Sequence, residues 1–174
     1  MAEVSIDLDA GSRCTKVWLR GAMSVAETIA QRLAADGDGD GEAELRVGPD
    51  QWLLLSERRG AADRIAVCER ALEGLRYHAV DMSAALLRAS LAEPDSAWQS
   101  GTGALRDLLA MGAAIDWHAR QVAPGYATRL RFASIPVVVH VRGAGACDLY
   151  YDRSYRQYLE RWFARASSDA RFER

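Results

Sequence analysis

The chain has 174 residues, 49% hydrophobic and 26% charged, which indicates a globular protein of one domain or of two small lobes. Its formal net charge of −2 argues against nucleic acid or an anionic membrane as a partner. No apolar segment approaches the roughly 18–20 residues of a membrane span, and the acidic N-terminus does not resemble a signal peptide. Three widely spaced cysteines indicate neither a disulfide framework nor a zinc site, so we expect a reduced cytoplasmic protein.

The first half of the chain predicts a strand–helix–strand–strand–helix unit that follows a loosely held tail, residues 1–14. Strands are indicated by alternating or β-branched runs, and helices by apolar residues at steps of three and four. The predicted elements are strand 15–20, helix 22–35, an acidic loop 36–41, strands 43–47 and 51–56, helix 60–75 and an extended segment 77–82.

The second half predicts the same order of elements. The final helix begins at a capping box formed by Ser154 and Gln157. One stripe of that helix is apolar and is expected to cover a sheet: Tyr155, Tyr158, Leu159, Trp162, Phe163 and Ala166. The other predicted elements are strand 84–91, helix 103–111, a hairpin of strands 126–132 and 135–141 joined at Ala133-Ser134, and a short strand 148–151.

This order predicts an α+β fold of two tandem split βαβ (ferredoxin-like) units, each with a mostly antiparallel sheet. The units would span about 15–82 and 84–166 within a domain of residues 15–168, and residues 169–174 would form a C-terminal tail. No residue-by-residue repeat accompanies the repeated order. Two unrelated lobes therefore stay open as an alternative.

Two kinds of loop partly match known ligand-binding motifs, but each lacks a residue that the motif requires. The acidic loop 36–41 opens like an EF-hand, but Val47 stands where a bidentate glutamate is required, so we interpret it as a linker. Residues 101–106 and 143–148 both begin as GxG without the third glycine of a dinucleotide-binding loop. We interpret both as ordinary loop glycines.

The remaining reactive side chains show no catalytic spacing. The histidines and cysteines lie on separate predicted segments, and only chance pairs such as His78 with Cys68 or His140 with Cys147 can be named. Asp81 and Ser83 lie where the two units join, and we favour a turn-stabilising role over a general base. The sequence thus predicts no catalytic, cofactor-binding or metal-binding residue in this chain.

Seven segments, taken in order, resemble the gamma subunit of heterotetrameric sarcosine oxidase. The resemblance covers roughly residues 40–165, and one departure is the Ala113-Ala114 pair, where relatives often have a Cys-Pro-like pair. The segments are LRVGPDQWLLL (45–55), VDMS (80–83), ALRDLLAMG (104–112), IDWH (115–118), QVAPGYATRL (121–130), IPVVVH (135–140) and DLYYDRSY (148–155).

The resemblance implies a fold similar to the folate-binding domain of aminomethyltransferases. It also implies a complex that demethylates sarcosine oxidatively, in which the alpha and beta subunits hold FAD, FMN, NAD and tetrahydrofolate and a delta subunit holds zinc. The gamma chain of that family carries no known cofactor. No active-site residue is therefore transferred to this sequence.

We accordingly expect a non-catalytic accessory subunit, not an enzyme by itself, that packs against a large flavoprotein subunit. Exposed aromatic residues and the edge of the hairpin would supply the main contacts, and the aromatic candidates are Trp52, Trp117, Tyr150 and Tyr151. Each of the four fits a core position equally well, and for Trp52 the core is the favoured interpretation. The alternative is a stand-alone folate-binding aminomethyltransferase-like protein or an iron–sulfur maintenance protein, in which Asp81 would be the catalytic or pterin-anchoring carboxylate.

Overall fold

The computed structural model describes residues 4–8, 14–21, 25, 28, 42–93, 98, 103–118, 120–143 and 145–169. The chain forms two compact units. The four-stranded unit comprises residues 13–86, and the five-stranded unit comprises residues 1–12 and 87–174. The predicted α+β class with antiparallel sheets is confirmed.

Most of the predicted elements recur with small shifts in their ends. The predicted acidic loop 36–41 lies outside the described residues, as does helix 22–35 apart from Val25 and Thr28, which are helical. The strands are β1 (Ser5–Asp7), β2 (Thr15–Gly21), β3 (Glu42–Gly48), β4 (Gln51–Ser56), β5 (Tyr77–Asp81), β6 (Leu86–Ala92), β7 (Ala127–Phe132), β8 (Ile135–Gly143) and β9 (Ala146–Asp152). The helices are α1 (Ala61–Ala71), α2 (Ala104–Gly112) and α3 (Arg156–Asp169).

The four-stranded sheet has the strand order β3-β4-β2-β5, and its three pairings are antiparallel. β4 lies between β2 and β3, as in a split βαβ unit. Because side chains alternate along a strand, Val17 and Leu19 share one face with Trp52 and Leu54. α1 covers that face with Val67 and Cys68, together with Leu72 just beyond its end.

An ion-pair cluster fixes α1 against the edge strand β3. The side chain of Arg64 is fully buried, and its Nη1 and Nη2 lie 3.1 Å from Glu42 Oε2 and 3.1 Å from Glu44 Oε1. Burial raises the pKa of Glu44, and the neighbouring Arg64 counteracts that rise. Buried ion pairs of this kind fix the relative orientation of the two elements but add little net stability, because both charged groups lose their hydration.

The five-stranded sheet has the order β1-β6-β9-β8-β7, in which β7, β8 and β9 form a meander. The Glu93 N–H after β6 donates to the Gly145 carbonyl before β9, as antiparallel neighbours require. This order differs from that of the four-stranded sheet, since a continuous meander replaces the split arrangement. The predicted tail also differs, because Ser5–Asp7 pair with β6 as the edge strand β1.

One face of the five-stranded sheet is covered by α2 and α3. The rings of Phe132, Trp162 and Phe163 pack there with centroid separations of 4.9, 5.9 and 5.2 Å, in a mostly edge-to-face arrangement. Two details of the last helix were predicted wrongly. α3 begins at Arg156, after a single 3-10 turn (Arg153–Tyr155) that Asp152 caps by accepting from the Ser154 N–H at 2.8 Å, and Tyr158 is 45% exposed, outside the buried stripe.

The close approach of α2 to β7 generates a stability prediction. A Cβ on Gly112, the last residue of α2, would overlap the Phe132 ring, whereas a Cβ on Gly143 would have no atom within 4 Å. We expect Gly112→Ala to lower the free energy of unfolding by about 1–3 kcal/mol through overpacking. Gly143→Ala is the matched control and should have little effect. Urea unfolding measures both variants, and equal midpoints would contradict the predicted contact.

Candidate functional site

Polar side chains converge on the face of the five-stranded sheet opposite α2 and α3. β8 and β9 pair so that His140 lies opposite Asp148, while their sequence neighbours Val139, Val141 and Leu149 point into the core. The two-residue period of a strand therefore sends both polar side chains to the other face. Arg88 on β6, Arg142 on β8 and Tyr150 on β9 share that face through the same alternation.

Asp148 is the centre of this polar cluster, which we define as Arg88, His140, Arg142, Asp148 and Tyr150. Its side chain is about 1% exposed, and Oδ1 lies 3.0 Å from Arg142 Nε. Oδ2 lies 3.9 Å from Arg88 Nη1 and accepts a long hydrogen bond of 3.4 Å from the Tyr150 hydroxyl. Because two guanidinium groups face one carboxylate, the buried charge is compensated.

The surroundings of His140 favour its neutral form. Burial lowers the pKa of His140, Arg142 and Arg88 lower it further, and only Asp148 acts to raise it. Its Nδ1 is buried without a hydrogen-bond partner among the described residues. The described residues also give the imidazole no hydrogen bond to a serine hydroxyl or a thiol, so the cluster holds no nucleophile–base pair of the kind that acyl transfer requires.

The histidine–cysteine pairs named from the sequence do not form. Cys147 is fully buried in the core on the face opposite His140, and burial raises the pKa of its thiol far above the usual range. Cys68 lies in the core of the four-stranded unit, whereas His78 on β5 is exposed. Within the described parts of the chain, no three His, Cys, Asp or Glu side chains are grouped as metal ligands.

Asp81 and Ser83 form a turn at the end of β5. Asp81 Oδ1 accepts from the Ser83 N–H at 2.8 Å and from the Ser83 hydroxyl at 2.6 Å. These hydrogen bonds lower the pKa of Asp81. Ser83 Oγ in turn accepts from the Lys16 N–H at 2.9 Å, which ties the turn to β2. The geometry therefore matches the turn-stabilising interpretation of these two residues.

All four aromatic candidates for partner contacts prove to be buried, so their alternative assignment to the core is the correct one, as was favoured for Trp52. Trp52, Trp117, Tyr150 and Tyr151 are between 0 and 4% exposed. Trp117 also donates from Nε1 to the Ala113 carbonyl at 3.1 Å. For the three strand residues, Trp52, Tyr150 and Tyr151, the reason is that side-chain alternation identifies the two faces of a strand and does not reveal whether one or both are covered.

The helix start after the first GxG segment is occupied by the protein's own carboxylate. Glu93 Oε2 accepts from the Leu105 N–H at 3.0 Å, and a Cβ on Gly103 would overlap the Glu93 carboxylate. Arg106 Nη2 donates to the Trp98 carbonyl at 2.6 Å, and its guanidinium lies 4.7 Å from the centroid of the Trp98 ring. The negative end of Glu93 thus takes the place that an external anion would occupy.

Sequence reasoning missed the polar cluster and the role of Glu93. A partial signal existed, because His140 and Asp148 are polar positions inside runs that are otherwise apolar. Their pairing across β8 and β9 could not be read locally, since it depends on the register of two strands.

Comparison with solved structures places the fold among known ones. A chain of the heterotetrameric sarcosine oxidase from Corynebacterium sp. U-96, solved with pyrrole 2-carboxylate, superposes with a TM-score of 0.74 at 23% identity, covering 95% of this chain and 84% of that chain. Aminomethyltransferase T of the glycine cleavage system from Bartonella henselae superposes with a TM-score of 0.54 at 11% identity, covering 95% of this chain and 45% of that chain. The regulatory subunit of aspartate kinase from Thermus thermophilus superposes with a TM-score of 0.51 at 17% identity, covering 99% of this chain and 98% of that chain.

These similarities concern the fold. The sequence matches no protein-family model and no curated protein. The expected likeness to a sarcosine oxidase subunit and to an aminomethyltransferase is confirmed at that level. None of the helices within the described residues combines the length and apolar character of a transmembrane segment.

The polar cluster generates a prediction about charge. Asp148→Asn keeps the shape of the side chain and removes the charge that compensates Arg142 and Arg88, so the free energy of unfolding should fall by about 1–3 kcal/mol. The His140 pKa should fall further, because Asp148 is the group that raises it. Urea unfolding and NMR titration measure the two effects. Glu73→Gln, an exposed change of the same charge, is the control, and an unshifted His140 resonance would contradict the proximity.

The lowered pKa of His140 also predicts a pH dependence of stability. When the pH falls below about 6.5, the pKa of histidine in the unfolded chain, His140 binds a proton in the unfolded chain while it stays unprotonated in the native protein. Native stability should therefore decrease from about pH 6.5 downwards until the folded pKa is reached. In His140→Gln this contribution should vanish, so the difference in unfolding free energy between the two proteins should change with pH there. If this difference in unfolding free energy stayed constant from pH 7 to pH 5, the predicted contribution of His140 would be contradicted.

Proposed function

We propose that this chain is the gamma-type accessory subunit of a cytoplasmic, heterotetrameric sarcosine oxidase-type complex and has no catalytic role of its own. The observation that carries the proposal is the similarity of fold to one chain of such an oxidase over 95% of this sequence. The ordered set of segments between residues 40 and 165 supports the same assignment.

The chemistry of the described residues is consistent with this role. Several buried charged side chains among the described residues have partners within the chain: Arg64 pairs with two glutamates, Asp148 pairs with Arg142, and Glu93 accepts from the backbone at the start of α2. In the proposed complex, FAD, FMN, NAD and tetrahydrofolate belong to the alpha and beta subunits, zinc belongs to the delta subunit, and sarcosine or a related N-methyl amine is the substrate. This chain would then hold none of these groups.

The proposal predicts co-purification. The tagged chain, expressed in its native host, should be recovered with larger flavin-containing subunits, and the preparation should oxidise sarcosine or another N-methyl amine. Absorbance of the bound flavin and denaturing gel electrophoresis measure the outcome. Recovery of the chain alone, without a flavoprotein, would refute the proposal.

A titration separates the proposal from its rival, a stand-alone folate-binding protein. Calorimetry of the isolated chain with tetrahydrofolate should give no heat of binding if the folate site belongs to a partner subunit. Binding at about micromolar concentration would instead favour the rival. The rival's carboxylate Asp81 is already engaged by Ser83 in two hydrogen bonds, which counts against it.

A further inference from the structure

We propose that the surface around the β7–β8 turn is where a partner subunit docks, and that the partner presents an acidic surface with an apolar centre. The inference rests on the proposed function and adds to it the location and chemistry of the contact. We call this region the turn surface, and it consists of Met111, Arg131, Tyr158, Arg161, Trp162 and Arg165.

Three elements are joined at this turn by hydrogen bonds. The Ala133 N–H donates to the carbonyl of Gly112 at the end of α2 at 2.7 Å, and the Tyr158 hydroxyl of α3 donates to the Ala133 carbonyl at 2.8 Å. Arg131 of β7 donates from Nε and Nη2 to the Ser134 carbonyl at 3.2 and 3.1 Å. Side chains from α2, α3 and β7 are therefore held side by side.

The turn itself is strained. Ala133 and Ser134 have φ values of +48° and +68°, a region that glycine and asparagine adopt far more readily. The surrounding hydrogen bonds hold both residues in that conformation. Unfavourable backbone geometry that is fixed by its neighbours is concentrated at functional positions, and here it gives the turn surface a fixed shape.

The centre of the turn surface is apolar and accessible. Met111 is 51% exposed and Tyr158 is 45% exposed. Trp162, one helical turn after Tyr158, is half-buried with its ring against Phe132. Aromatic residues, methionine and arginine are enriched at protein–protein interfaces, so the composition matches a contact region.

The rim of the turn surface is positive. Arg161 and Arg165 follow Tyr158 by three and seven residues and lie on the same side of α3, and Arg131 is exposed beside the turn. Two acidic residues lie on the same helices: Asp107 on α2 is exposed, and Glu160 on α3 is already paired with Arg156 at 2.9 Å. Since the whole chain has a formal charge of −2, this local excess of positive charge selects an acidic partner.

Two other occupants fit less well. A second copy of this chain would meet the turn surface across a two-fold axis and bring like charges together. A lipid bilayer would require an apolar face on α3, but Leu159, Phe163 and Ala166 on that helix are buried in the core.

The test uses the co-purification assay with full-length variants in the native host. Arg161→Glu/Arg165→Glu should reduce the recovered flavoprotein about tenfold at low salt, and the difference should shrink as salt is raised. Met111→Ser should reduce recovery at both salt concentrations. The matched control is Arg58→Glu/Arg76→Glu, which reverses two exposed charges in the four-stranded unit and should behave as wild type. Thermal unfolding midpoints confirm that each variant is folded.

Each result decides between named outcomes. Undiminished recovery by folded turn-surface variants, with wild type still capturing the flavoprotein, would overturn the docking surface and leave the proposed function intact. Failure of the wild-type chain to capture a flavoprotein would refute both. Self-association, or binding to vesicles of anionic phospholipid, that the same double variant abolishes would also overturn the acidic-partner proposal.

Discussion

The register between β8 and β9 is the constraint on which both faces of the five-stranded sheet depend. Val139 lies opposite Leu149, which directs an apolar pair to the helices, and the next pair, His140 and Asp148, takes the other face. A slip of one residue would move the Asp148 carboxylate into the core beneath α3. Gly145, at φ +73°, supplies the left-handed backbone that closes this hairpin and so helps to fix the register.

Buried charge plays a structural role in both units. Arg64 joins α1 to β3 through two glutamates, Asp148 joins β9 to β8 and β6 through Arg142 and Arg88, and Glu93 occupies the N-terminus of α2. Burying each of these charged groups costs hydration free energy, which its partners offset. An arrangement that separated the group from its partners would leave a buried charge uncompensated.

The same fold occurs in proteins with different tasks. Similar chains belong to a sarcosine oxidase, an aminomethyltransferase and a regulatory subunit of aspartate kinase, so the fold alone does not identify the function. The proposed accessory role is supported by the combination of this fold with particular side chains. The polar cluster is closed by its own ion pairs, whereas Met111 and Tyr158 lie exposed beside a strained turn and three arginines.

The sequence by itself determined the local elements. A continuous apolar run predicted β4 over 51–56 as the structure has it, and an alternating run followed by a β-branched run placed the Ala133-Ser134 reversal between β7 and β8. Leu105 and Leu109, buried on the inner side of α2, were likewise indicated by their spacing. These features depend on contacts between residues that are close along the chain, so the pattern of side chains is sufficient to predict them.

Only the tertiary structure decided which of these elements became neighbours. It paired residues 5–7 with β6, put His140 opposite Asp148 and buried Trp117, Tyr150 and Tyr151, while it left Tyr158 exposed. The physical reason is that strand order and the covering of a second face arise from contacts between residues far apart in the chain. The alternation of side chains along one strand gives no information about these long-range contacts.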